Sequence, residues 1–330
     1  MRRRPTGHPS PEPEGSLPTL ALSLPALMFR TVQPVVWAFD CEWVPCARSG
    51  RLLLDLGRDV PEADVFAALW EAAGATVERP RPFLPLAWSR VASVAVVERR
   101  VRPDGSVALA LCSAPADPDA GEADVLRPFL RGLARRRPQL VGYNSHASDL
   151  PVLRQRALAL GLDAPGLCAR PERPWDGPDY GHPYNEWNVD LLRALGGRRG
   201  PTSPRLADLA ALCGIPAKSA GGLAVTGADV ADLWLTGDRD AIRRYNEGDA
   251  LTTYLLWLRT ARLAGLFSAE GHAAEEGRLE QLLEREVDAR GAEAGHLGAF
   301  LERWRTASAD PLRGPLDPPD GIALADTAVR

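Results

Sequence analysis

The chain has 330 residues, 45% of them hydrophobic, and a formal net charge of −4. That length supports one large domain, or one domain with appendages, and the negative balance excludes a protein that holds duplex nucleic acid on a broad basic surface. Five scattered cysteines without a CxxC pair exclude a disulfide framework and a thiolate zinc site; no apolar run reaches the roughly 18 residues of a membrane span, so a soluble, cytoplasmic protein is expected.

In chain order, residues 1–18 are rich in Pro, Arg and Ser and are expected to be disordered. TVQPVVWAFDCEW (31–43) predicts a buried strand ending in acids. Residues 44–89 form an unusually long connection, an insertion with one helical pattern from 62 to 77. RVASVAVVERRV and SVALALCS, joined through the Asp-Gly turn of RPDGS, predict a hairpin. A helix over 124–136 leads to the short strand QLVGYNS, the amphipathic helix LPVLRQRALALG, and a strand running into a helix at WNVDLLRALGG. RLADLAALCG and VADLWLTG predict two further helices, followed by the longest, DRDAIRRYNEGDALTTYLLWLRTARLAG. EEGRLEQLLEREVDAR predicts a charged, exposed helix within a helical extension over 267–305, and 306–330 a disordered tail. The order of elements is that of an α/β fold in which a hairpin precedes a parallel crossover, a mixed five-stranded sheet flanked by helices.

Asp40 and Glu42 lie two apart on one strand, so their side chains project to the same face. Burying that pair at the end of a central strand is costly unless positive charge meets it. Asp149 follows the strand QLVGYNS, and loops at strand ends of a parallel α/β sheet meet at its carboxyl edge, where Asp40 and Glu42 also emerge. Tyr245 and Asp249 are four apart on the inward face of the long helix. Four carboxylates without a His or Cys cluster are hard oxygen donors, suited to Mg²⁺ or Mn²⁺ rather than Zn²⁺.

FDCEW, YNSHASDLPVL and YNEGDALTTY, in that order, resemble the three motifs of the tyrosine-bearing DEDD exonucleases, the DEDDy branch of an RNase H-like superfamily. The chain is most similar to predicted 3′→5′ exonucleases related to the proofreading domain of family-B DNA polymerases, over about residues 35–266. The resemblance implies an RNase H-like exonuclease domain over 31–266 and hydrolysis at 3′ ends of DNA, single-stranded by preference. It implies two divalent cations, with Asp40, Glu42 and Asp249 on the first, Asp40 shared with the second, Asp149 acting mainly through water, and Tyr245 orienting the attacking water. Polarity of digestion rests on the resemblance alone, and DNA is expected over RNA.

Around these acids, Trp43 and Tyr143 offer rings that serve either the core or a stacked base. Asn144 is similar to the asparagine the family carries before its second-motif aspartate, implying contact with the 3′-terminal sugar. Where relatives carry an aromatic just before that aspartate, this chain has Ser148, which predicts a helix cap through its hydroxyl. His146 is either an exposed loop residue or a contact to the terminal nucleotide, and Lys218, the lone lysine, is a candidate for a substrate phosphate. The insertion at 44–89 and the C-terminal helix stay open as partner surfaces. The competing reading is a nucleic-acid- or partner-binding module that keeps the fold without chemistry; a two-carboxylate glycosidase would leave the remaining acids idle.

Overall fold

The computed structural model describes residues 29–173, 176–182, 186–196, 203–217 and 229–309. The expectations for 1–18, for Lys218 and for the tail beyond 309 lie outside the described residues. Strand β1 (Val35–Pro45) is followed by helices α1 (Ala47–Leu53) and α2 (Glu62–Ala72) and the strands β2 (Ser89–Val101) and β3 (Val107–Ala114). Helix α3 (Glu122–Arg136), strand β4 (Gln139–Gly142), helices α4 (Asp149–Ala159) and α5 (Pro165–Cys168), strand β5 (Asn188–Asp190) and helix α6 (Leu191–Gly196) come next. Helices α7 (Leu206–Leu212), α8 (Val230–Leu235), α9 (Arg239–Leu263), α10 (Ala269–Arg290) and α11 (Gly295–Ala309) complete the order.

The strands form one five-stranded sheet in the order β3-β2-β1-β4-β5, mixed as expected. β1 and β2 pair antiparallel, as do β2 and β3, whereas β4 runs parallel to both β1 and β5. The hairpin turn forms where Asp-Gly placed it: Gly105 takes φ 82°, and the Asp104 carboxylate accepts from the Ser106 N–H at 2.9 Å and its hydroxyl at 2.7 Å.

Alternation along β1 sends Trp37, Phe39 and Cys41 to one face, where Leu126, Phe129 and Leu133 of α3 and Leu150 and Leu153 of α4 cover them. Val36 and Ala38 face the other way, against Leu251, Tyr254 and Trp257 of α9. Helix α9 is buried along most of its length because α10 and α11 lie over it, adding Leu279, Leu282, Leu283, Leu297, Phe300, Leu301 and Trp304 to the same cluster. The helix expected to be charged and exposed is therefore exposed along one face only. Helix α11 also extends to Ala309, past the point where the tail was expected to begin.

The insertion carries two helices rather than the single one expected, and α2 stops at Ala72, followed by Gly74 with φ 84°. It builds a hydrophobic cluster of its own: Val65, Phe66, Leu69 and Leu84 meet Val44 of β1, Val230, Ala231 and Trp234 of α8, and Ile242 and Tyr245 at the start of α9. Among the described residues, no helix is long and apolar enough to cross a membrane.

Candidate active site

Along β1, the pairing with β4 covers only Val36, Trp37 and Ala38, while β1 itself continues to Pro45. The last residues of β1 thus run past the carboxyl edge of the parallel part of the sheet, and the face that carries Val36 and Ala38 continues into Asp40 and Glu42. Opposite them on β2, Glu42 pairs with Ser93 and Trp43 with Val91, leaving Ala92 as an extra residue. This β-bulge bends the pair of strands immediately beyond the acids.

Helix α9 lies across that face. Carboxylate oxygens of Asp40, Glu42 and Asp249 all lie within 4.8 Å of one another, bringing together residues of β1 and α9 that are far apart in sequence. Burial, followed by repulsion from Glu42, Asp149 and Asp249, pushes Asp40 well above the usual carboxylate range. One group pulls the other way: Asn246 Nδ2 donates to Asp40 Oδ2 at 2.6 Å, while its Oδ1 accepts from the Ser93 hydroxyl at 3.0 Å.

Tyr245 lies against the cluster, hydrogen-bonded to Asp249 one turn along the helix. Burial and the negative charges of Asp249, Glu42 and Asp40 raise its phenol far above the ordinary value near 10, so it stays protonated and donates. Its ring is held in the insertion's cluster.

Asp149 reaches the same edge from the opposite face of the sheet, outside the group of three. Its Oδ1 accepts from the Cys41 N–H at 3.4 Å and the Cys41 thiol at 3.2 Å, filling the gap left where β4 ends. Burial raises the Asp149 carboxyl, with hydrogen bonds from Ser148 and Cys41 opposing the rise. Burial and the neighbouring Asp149 and Asp40 push the Cys41 thiol up, which keeps it a donor. Ser148 does not cap α4: its hydroxyl lies 2.7 Å from Asp149 Oδ2 and 2.8 Å from the Asn144 carbonyl, and with one proton it serves one of them at a time.

The loop before Asp149 is shaped by Asp190, at the end of β5. Its carboxylate accepts from the N–H groups of Asn144 at 2.8 Å, His146 at 3.2 Å and Leu192 at 3.1 Å, and Asn144 takes a left-handed φ of 62°. His146 is half-buried rather than exposed. Burial and then the charges of Arg193 and Arg154 push it down to about 4, so at neutral pH it is uncharged. Tyr143 donates to the Pro204 carbonyl at 2.6 Å and packs against the α9 cluster; Trp43 is partly buried beside Glu42.

The elements thus bring together Asp40, Glu42, Tyr245 and Asp249, set Asp149 next to them through Cys41, and carry Asn144 and His146 on the loop leading to Asp149. Sequence reasoning missed Asn246, Ser93, Cys41 and Asp190. Asn246 and Asp190 left a signal, an amide between Tyr245 and Asp249 and an acid at a strand end. All-oxygen donors in a cluster whose members repel one another form a set that fits a hard divalent cation.

A family model described as a predicted 3′-5′ exonuclease related to the exonuclease domain of PolB matches residues 81–304. The chain belongs to this family. The PolB-related exonuclease match takes in Asp149, Tyr245 and Asp249 together with nearly all of the C-terminal helices, and begins after Asp40, Glu42 and most of the insertion. Among solved structures, the chain is similar to the family B DNA polymerase of the hyperthermophilic archaeon Pyrobaculum calidifontis, with 21% identity and a TM-score of 0.40. That likeness covers 78% of this chain and 30% of the polymerase, so the chain spans under a third of the polymerase's length. No curated protein matches it.

Proposed function

We infer that the protein is a metal-dependent 3′→5′ exonuclease that hydrolyses phosphodiester bonds at 3′ ends of DNA, single strands in preference to duplex, by a two-metal mechanism. The observation that carries this reading is the convergence of Asp40, Glu42 and Asp249 within 4.8 Å, beside Asp149 and Tyr245. The relationship to the exonuclease domain of PolB supports nucleic acid, and DNA in particular, as substrate.

Asp40, Glu42 and Asp249 would hold Mg²⁺ or Mn²⁺, with Asp149 at the margin of the site. Such ions, when bound, lower the pKa of water and neutralise charge on a departing 3′ oxygen. The chain's own residues do the positioning. Asn246 fixes Asp40, Cys41 and Ser148 fix Asp149, and Tyr245, unable to act as a base with its raised pKa, orients the attacking water as a donor.

A 3′-labelled single strand incubated with Mg²⁺ or Mn²⁺ should release mononucleotides. Cleavage that needs no metal, or that survives Asp40→Ala undiminished, would overturn the assignment.

A further inference from the structure

We propose that the Pro-flanked segment of residues 80–85 in the insertion is the stacking wall of the substrate groove, with Phe83 holding an unpaired nucleobase just upstream of the scissile bond. This rests on the exonuclease reading. A cavity of about 360 Å³ opens beside Glu42, with Trp43, Trp70, Arg81, Phe83 and Ser89 around it. It shares Glu42 with the carboxylate cluster and lies within the roughly 300–1,000 Å³ typical of ligand sites. That volume is ample for an unpaired base.

Phe83 is 62% exposed, a large apolar ring in a cavity whose charged lining residues are Glu42 and Arg81. The chain on either side of it is fixed. Leu84 is 6% exposed and anchored in the insertion's cluster. The Arg81 guanidinium makes two hydrogen bonds to Asp232 of α8, at 2.7 and 2.8 Å, and lies 5.1 Å from the Trp70 ring centre. Pro80, Pro82 and Pro85 restrict the backbone between these anchors. A ring so presented loses little freedom when a base stacks on it, and stacking tolerates any base, as removal of successive nucleotides requires.

The test uses a single-stranded oligonucleotide with 2-aminopurine at the penultimate 3′ position. Without divalent ions, binding to the wild-type chain should quench the probe. Phe83→Ala should lose most of the quench and bind about ten-fold more weakly, and Phe83→Trp should restore both. With Mn²⁺, Phe83→Ala should raise KM about ten-fold and change kcat by less than about two-fold. If the wild-type chain cleaves the strand and Phe83→Ala matches it in quench, affinity and KM, the stacking wall is wrong and the exonuclease stands. If the wild-type chain neither binds nor cleaves, both fall.

Discussion

Glu247 and Asp249 sit two residues apart on α9, both buried, in opposite electrostatic settings. Glu247 faces β3, α10 and α11, where it accepts from the Ser113 hydroxyl at 2.6 Å, pairs with Arg243 at 2.7 Å and Arg290 at 3.2 Å, and meets His296 Nε2 at 2.6 Å. Burial works against its ionisation, but the hydrogen bonds from His296 and Ser113 and the charges of His296 and Arg290 outweigh it and hold Glu247 down to about 2. Asp249, rotated about 200° around the helix, faces Asp40 and Glu42, where burial and then the negative charges push Asp40 and Tyr245 up. The contrast teaches that burial of an acid does not mark a metal site; the charge balance around it does. Glu247 clamps the helices together with cations the chain itself provides, whereas the Asp249 side presents carboxylates whose mutual repulsion a divalent ion would relieve.

The contrast can be broken at either end. Asp40→Ala should reduce metal-dependent cleavage by about a thousand-fold or more, since it removes several kcal/mol of positioned charge stabilisation; single-turnover assays read it. Its urea midpoint should not fall. Glu247→Ala should do the reverse in kind, destabilising the fold by about 3–5 kcal/mol because Arg243 and Arg290 lose their buried partner. An unchanged urea midpoint for that variant would end the comparison. Mn²⁺ at about a hundred times its Kd should add about 2.7 kcal/mol to wild-type stability, and Asp40→Asn should abolish that increment, as calorimetry with and without the ion would record.

Acid titration sharpens the same contrast with a smaller effect. A carboxyl held below its unfolded value contributes stability that is present above about pH 4.5 and lost as pH falls toward about 2. Glu247→Gln should therefore flatten the fall in stability across that window. A slope identical to wild type would show that the Arg and His partners do not act on Glu247.

Much of this arrangement was legible because local chemistry and global fold agree. β1 announces itself by β-branched and aromatic residues, the hairpin by Asp-Gly, and α9 by the spacing of Tyr245 and Asp249. Spacing on one strand and one helix also placed the acids, since alternation and the helical turn fix which side chains share a face. What was hidden depends on contacts made across the sheet. The burial of α10 and α11 is created by α9 beneath them, and the charges of α10 masked the Leu279, Leu282 and Leu283 stripe. Asn246 acquires its role only once Ser93 and Asp40 lie on either side of it, and Ser148 gives up its expected cap because Asp149 and the Asn144 carbonyl compete for its proton.

The hydrophobic cluster of the insertion has a consequence for how kinetic data should be interpreted. The Tyr245 ring rests on the same packing as Val65, Phe66 and Leu69, so those apolar residues set the clearance of a phenol they never approach through a polar contact. Truncating one of them would open a void that the ring can relax into, and the lesion would be recorded as slow turnover although the altered residue touches neither strand nor ion.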